Sequence, residues 1–282
     1  MSKTLKAMKR ELDDLFQGLD GVPFGPWPGT VVTGISIDSR QVQPGDLFVA
    51  LKGQNTDGMR FLPDAIRRGA RALVLPLEGS VPPGFPGLRV PDPRRVLAVI
   101  AARFYGNPSR DLFVVGVTGT NGKTTFTHMV EQILRAAGRP AGYWTTPEVY
   151  SGRCRFRPKL TTPEAHDLHR FLWEVLTSGM RDACIEVSSH GVVLHRVAGV
   201  QFNIGAVTNL ARDHLDFHNT FEAYFAAKQA FVEGLGEDAA CLLNADDPWV
   251  IRMARKTRAR VISYGFSREA DLKASNPVYS PG

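Results

Sequence analysis

The sequence predicts an α/β protein built on a mainly parallel sheet flanked by helices. Two patterns point there. From Leu112 onward, short apolar runs alternate with segments of helical period, the signature of parallel strands joined by crossover helices. The first of those runs, Leu112–Val117, breaks into a glycine-rich turn that opens a helix at Lys123. Composition agrees: 43% of residues are hydrophobic, enough for a buried core and too many for a disordered chain.

In chain order, Met1–Phe16 carries Leu5, Met8, Leu12, Leu15 and Phe16 at helical spacing among charged residues, which predicts an amphipathic helix and no secretory signal. Gly21–Gly29 reads as a loop. Thr33–Asp38 and Leu47–Leu51 read as strands, Leu62–Gly69 as a helix and Ala72–Leu75 as a strand. The proline- and glycine-rich stretch from Leu77 to Pro93 reads as a long surface connection with at most one short strand, around Leu88–Val90. Arg94–Tyr105 has helical period, and Gly106-Asn-Pro108 ends it. A domain boundary is expected near Pro108–Asp111, dividing the chain into 1–108 and 109–282.

Beyond it the sequence predicts helix Lys123–Ala137, helix Pro163–Ser178, strand Ala183–Val187 and strand Ile204–Thr208. Helix Phe221–Glu233, strand Ala240–Leu243, a helix from Pro248 and strand Arg260–Tyr264 follow. The order of the strands is not readable from the sequence. The turn-like Ala274–Gly282, with no terminal helix, reads as a cut through a larger protein.

Lys plus Arg number 34 and Asp plus Glu 28, a net charge of +6 that fits an anionic small substrate. The Arg residues between Arg252 and Arg260 form one short basic patch, read as a solvated helix face, so no nucleic-acid partner is expected. No apolar run approaches the ~20 residues of a membrane span, so no membrane insertion is expected. Cys154, Cys184 and Cys241 are odd in number and form no CxxC, which argues against disulfides or a zinc knuckle and for a reducing, cytoplasmic setting.

Gly116-Val-Thr-Gly-Thr-Asn-Gly-Lys-Thr-Thr125 is the strongest chemical signal. It lies between a strand and a helix, where a phosphate-binding loop belongs. Counted from Gly116 it has one residue more than GxxxxGK[ST], and it is better written as the shorter GTxGKTT. Gly119 and Gly122 let backbone N–H groups turn inward, Lys123 can neutralise phosphates, and Thr124 offers Mg²⁺ a hydroxyl.

Glu186-Val-Ser-Ser-His190 follows a strand, where a carboxylate suits a metal bound to nucleotide phosphates; its serines could equally be helix caps. Thr208-Asn-Leu-Ala-Arg-Asp-His-Leu-Asp-Phe-His218 crowds Asp213, His214, Asp216 and His218 together. On spacing it could be a zinc site or a polar capping loop. His166 and His169 share a helix face read as solvated. Lys228 in Tyr224-Phe-Ala-Ala-Lys228 reads as a snorkelling lysine, and Asn244-Ala-Asp-Asp-Pro248 as a capping turn.

Together these residues resemble the Mur ligase family, and within it the type that adds the third residue of the peptidoglycan stem peptide. The resemblance covers essentially the whole chain. It rests on Asp38-Ser-Arg40 with Pro44-Gly-Asp-Leu-Phe-Val-Ala50, the GVTGTNGKTT loop, Leu160-Thr-Thr-Pro-Glu164, EVSSHGVVLHR, TNLARDHLDFH, YFAAK and NADDP, in the family's order and spacing.

The resemblance implies an N-terminal uridine-binding domain and a central ATP-binding domain. Gly119, Thr120, Asn121, Gly122, Lys123, Thr124 and Thr125 would hold ATP, with Lys123 on the γ-phosphate and Asn244 near adenine. Thr124, Glu186 and His214 would serve Mg²⁺ sites, Lys228 would be carbamylated, and Lys123, Lys228, Glu186 and His214 would form the catalytic set. Thr161, Thr162, Ser188 and Arg196 would hold the muramoyl-dipeptide and diphosphate, and Ser39 the uridine.

The implied reaction is ATP-driven amide formation through an acyl phosphate. It joins a diamino acid, meso-diaminopimelate favoured over L-lysine, to UDP-N-acetylmuramoyl-L-Ala-D-Glu in a cytoplasmic monomer. Leu194 stands where many members carry Gln, and Tyr143-Trp-Thr-Thr146 replaces the usual Gly-Thr. The family's C-terminal domain has no counterpart, so the chain alone is expected not to complete ligation. The alternative is a non-catalytic truncated paralogue or substrate-binding fragment.

Overall fold

The computed structural model describes residues 8–53, 56–267 and 269–275. It divides into two compact units, one of residues 1–107 with 165–170 and one of 108–164 with 171–282. No described helix is long and apolar enough to cross a membrane.

In the first unit, β1 (Arg10–Glu11) leads into α1 (Leu12–Phe16), followed by β2 (Val22–Phe24), β3 (Val31–Val32), β4 (Gly34–Ser36) and β5 (Asp46–Val49). α2 (Leu62–Arg67), β6 (Ala72–Pro76), β7 (Gly87–Val90) and α3 (Pro93–Phe104) complete it. The sheet order is β2-β7-β6-β5-β4, parallel except for β2 at the edge. Phe48, Leu73 and Leu75 pack with Leu62 and Ala65 of α2 as one apolar cluster. Asp92 caps α3 by accepting from the N–H groups of Arg94 and Arg95, with Pro93 in the first turn. Arg103 donates to the carbonyls of Leu15 and Gln17 at 2.8 and 2.7 Å, satisfying the open end of α1.

Two expectations change here. The helix expected over Met1–Phe16 is confined, among the described residues, to Leu12–Phe16, because Arg10 and Glu11 pair with Val32 and Val31 instead; residues 1–7 lie outside the described residues. The loop expected over Gly21–Gly29 contains β2, where Pro23 is tolerated because the strand is an edge.

The second unit starts with β8 (Phe113–Thr118) and α4 (Lys123–Ala136), then β9 (Ala141–Trp144), β10 (Val149–Tyr150) and β11 (Arg155–Phe156). α5 (Ala165–Thr177), whose residues 165–170 belong to the first unit, β12 (Asp182–Glu186), α6 (Ser189–Val193), β13 (Ile204–Val207), α7 (Leu215–His218) and α8 (Phe221–Glu233) follow. β14 (Ala240–Asn244), α9 (Pro248–Arg252), β15 (Arg260–Gly265) and β16 (Leu272–Lys273) end it. Among the described residues one sheet runs β11-β10-β9-β12-β8-β13-β14-β15-β16. It is parallel from β9 to β16, with the β9–β10–β11 edge antiparallel.

β8 therefore lies between β12 and β13. Its register sets Glu186 beside Val117, and Val207 beside Thr118. The loop after β8 thus emerges between the carboxyl ends of two strands, the crevice where ligands bind in such sheets. β9 has no branched apolar run to announce it. Its Gly142 admits α5 closely, since a Cβ there would sit 2.3 Å from a Val175 methyl. His169 is fully buried, so the face it shares with His166 is not solvated.

Candidate active site

The loop after β8 is shaped by glycine and by the end of β13. Gly119 has φ 141° and Gly122 φ 86°, both positive, and Gly122 delivers the chain into α4. Thr208 donates to the Asn121 carbonyl at 2.6 Å, while the Asn209 amide accepts from Asn121 N–H at 3.0 Å and donates to its carbonyl at 3.1 Å. Thr120 is held by the Asn209 carbonyl, and its hydroxyl lies 3.0 Å from the Tyr224 hydroxyl. Asn121, Gly122 and Thr125 are exposed at the loop and first helical turn.

Lys123 Nζ folds back to donate to the carbonyls of Gly119 and Thr120 at 2.9 and 2.8 Å. Burial lowers its pKa, against the opposing pull of Glu186 and Asp213. An anion arriving at the loop would offer this ammonium a stronger partner than two carbonyls.

Glu186, fully buried at the end of β12, meets Thr124. The Thr124 hydroxyl donates to Oε1 at 2.6 Å. Thr146, just past β9, donates to Oε1 from its N–H at 3.1 Å and to Oε2 from its hydroxyl at 2.8 Å. Two hard oxygen donors thus converge at the start of α4.

The Leu160–Glu164 segment packs against the same strand end. The Thr162 hydroxyl donates to the Glu186 carbonyl at 2.8 Å and accepts from Ser188 N–H at 2.9 Å. Thr161 lies with its hydroxyl 3.1 Å from that of Thr146. Arg196 donates to the Thr162 carbonyl at 3.2 Å and pairs with Glu164 at 2.8 Å, while its buried Nε has no hydrogen-bond partner. Ser188 also caps α6 through Gly191 N–H. Thr161, Thr162, Ser188 and Arg196 therefore gather around the end of β12.

Lys228 is not a snorkelling lysine. It is 1% exposed, because α8 turns Tyr224, Lys228 and Phe231 toward the sheet. Its Nζ donates to the Gly119 carbonyl at 2.8 Å and lies 4.6 Å from the Tyr224 ring centroid. Burial, with Lys123 nearby, lowers its pKa to about 7, so neutral amine is plentiful at physiological pH.

His214, exposed and at φ 52°, lies beside Asp213, its ring 5.1 Å from that of His190. His218 is buried, its Nε2 2.9 Å from the Ser189 hydroxyl. Burial lowers both His190 and His218, so both favour the neutral ring. No three described His, Cys, Asp or Glu side chains form a cluster able to hold a metal ion, so the zinc reading of this segment has no support. Asn244 donates to the Thr208 carbonyl at 2.8 Å and accepts from Asp246 N–H, tying β14 to the loop's support.

In the first unit, Ser39 is buried beside Asp64 on the wall of a cavity of about 630 Å³, which Asp38, Arg40 and Phe61 also line. The Arg40 guanidinium holds the Asp38 carboxyl below the usual carboxylate range.

Sequence reasoning missed Thr146, Thr208, Asn209 and Tyr224. Thr208 and Asn209 open the TNLARDHLDFH segment, and Tyr224 stands one helical turn before Lys228, so both were within reach. Thr146 carried no signal until β9 placed it against Glu186.

Comparison with known proteins gives the lineage. Residues 117–281 match the Mur ligase middle domain, and residues 31–105 the Mur ligase family, catalytic domain. A UDP-N-acetylmuramoyl-L-alanyl-D-glutamate–2,6-diaminopimelate ligase of Geobacter metallireducens is 39% identical over 275 residues, covering 95% of this chain and 54% of the relative. The ligase of that name from Clostridium perfringens is 37% identical over 93% of this chain and 55% of its own length. A solved structure of a ligase of that name aligns with a TM-score of 0.78 at 26% identity, over 94% of this chain and 54% of that one. MurF from Acinetobacter baumannii, at 22% identity and a TM-score of 0.68 over 93% of this chain and 54% of its own, shares the fold. The chain spans about half the length of the curated relatives it matches. With the middle-domain match alone taking in more than half of its residues, the chain belongs to the Mur ligase family.

Proposed function

We propose that this chain is the substrate- and nucleotide-binding part of an ATP-dependent amide ligase acting on UDP-N-acetylmuramoyl-L-Ala-D-Glu. The reaction transfers the γ-phosphoryl group of ATP to the D-glutamyl side-chain carboxylate. The amine of a diamino acid, meso-diaminopimelate in preference to L-lysine, then displaces phosphate. The names of the relatives at 37–39% identity support the acceptor and the diamino acid. Lys123, Thr124 and the N–H groups of the loop would bind the ATP phosphates, and Asn244 would lie toward adenine. Arg196, with Thr161, Thr162 and Ser188, would hold the acceptor's anionic portion, and Ser39 its uridine.

The donor chemistry fits Mg²⁺: Thr124 and Glu186 offer hydroxyl and carboxylate oxygens 2.6 Å apart. Thr124 and Glu186 would hold the ion, with His214 nearer a second. When bound, Mg²⁺ would screen the repulsion between the acceptor carboxylate and the γ-phosphate.

The observation that carries the reading is Lys228. A plain nucleotide-binding loop has no need of a buried lysine with its pKa lowered to about 7, whose ammonium form burial penalises. Such an amine can attack carbon dioxide, forming an N–C bond and releasing one proton to give a carbamate. The remaining N–H can keep its bond to the Gly119 carbonyl. With ¹³C-bicarbonate, NMR is expected to show one protein-bound carbamate carbon that grows as pH rises from 6 to 8 and is missing in Lys228→Met. No such signal, or one retained in the variant, would contradict the assignment.

A further inference from the structure

We propose that Thr146 is a positioning residue that fixes the Glu186 carboxylate for Mg²⁺, an inference that rests on the reading of Thr124 and Glu186 as the metal side of the nucleotide site. Among the described residues the carboxylate accepts three hydrogen bonds, and Thr146 supplies two of them, from its N–H to Oε1 and from its hydroxyl to Oε2. Thr124 supplies the third, to Oε1. If the Thr124 oxygen turns to a metal, its proton no longer serves Glu186. Among the described residues Thr146 is then the remaining hydrogen-bonding restraint on rotation of the carboxylate.

The mooring is rigid. Ile185 pairs with Trp144, so Thr146 leaves β9 directly against the end of β12. The fully buried Thr145 locks the turn, its N–H and hydroxyl donating to the Glu148 carbonyl at 3.0 and 2.6 Å. The Thr146 hydroxyl has one proton. It lies within donating distance of both Glu186 Oε2, at 2.8 Å, and the Thr161 hydroxyl, at 3.1 Å, and the charged carboxylate is the stronger acceptor. Thr146 and Thr124 thus grip Glu186 from β9 and the phosphate-binding loop, with the Thr161 hydroxyl in polar contact behind Thr146.

Residues that orient a metal ligand typically govern metal affinity by about 10–100-fold. The test is calorimetric titration of ADP into wild type, Thr146→Val and Thr146→Ser, in EDTA and across a Mg²⁺ series. Valine keeps the shape and the backbone N–H and removes only the hydroxyl; serine restores it. Thr146 is exposed, so valine is expected to leave the unfolding midpoint near wild type. The expected result is equal ADP binding by all three proteins in EDTA. Thr146→Val then needs about tenfold more Mg²⁺ to reach the same gain in affinity, and Thr146→Ser needs no more than wild type. Wild-type Mg²⁺ dependence in Thr146→Val, an equal loss of ADP binding in EDTA, or failure of serine to restore it would overturn the inference alone. No ADP binding by wild type would overturn the functional reading, and the inference with it.

Discussion

Gly119→Ala is expected to abolish ADP binding and to lower stability by several kcal/mol. Two costs add. At φ 141° the backbone is in a region that favours glycine, a strain of about 1–3 kcal/mol for other residues. The new Cβ would also stand 1.9 Å from the Thr208 hydroxyl oxygen. Thr208 cannot simply yield, because the same hydroxyl holds the Asn121 carbonyl at 2.6 Å. Overpacking adds about 1–3 kcal/mol and displaces the loop's support. Gly122→Ala is the control: its φ is 86° but the nearest atoms are 3.9 Å away, so strain alone applies. Urea unfolding with ADP titration separates the two. A Gly119→Ala protein as stable as Gly122→Ala would show that the loop does not need this close approach.

Lys228→Met is expected to be more stable than wild type at pH 6 and inactive in carbamate formation. The buried amine has a pKa of about 7 against an ordinary value of 10.5. Between those values the unfolded chain holds a proton that the folded chain has released. Wild-type stability therefore rises with pH through that window, and the penalty is fully present below pH 7. Methionine fills similar space without the charge. The Gly119 carbonyl keeps Lys123 as a donor at 2.9 Å. The gain should be on the order of a few kcal/mol at pH 6 and shrink toward pH 10. Denaturant titrations from pH 6 to 9 in carbonate-free buffer check it. A variant less stable than wild type at pH 6 would mean the ammonium is accommodated after all.

Much of this was legible because the pattern is local. The apolar run of β8, the glycines after it and the amphipathic α4 occur consecutively, so strand, loop and helix could be read together. β12, β13 and α8 were found by the same alternation. Pairing between distant segments was not legible. Nothing near Ala141–Trp144 says that it is buried between β10 and β12, and Arg10–Glu11 became a strand only through Val31–Val32. Lys228 was misread by residue type, although its position, four residues after Tyr224, placed it on the buried face of α8. The role of Thr146 depends on β9 lying beside β12, a neighbour relation no single sequence states.

The proposed function rests on recognition of UDP-N-acetylmuramoyl-L-Ala-D-Glu by this chain. Titration calorimetry with that compound, and with UDP-N-acetylglucosamine as control, tests it most directly. Binding should require the dipeptide and weaken in Arg196→Ala, which removes the guanidinium paired with Glu164 at 2.8 Å. Equal heats for the two compounds, or dipeptide-dependent binding that Arg196→Ala leaves untouched, would contradict the assignment.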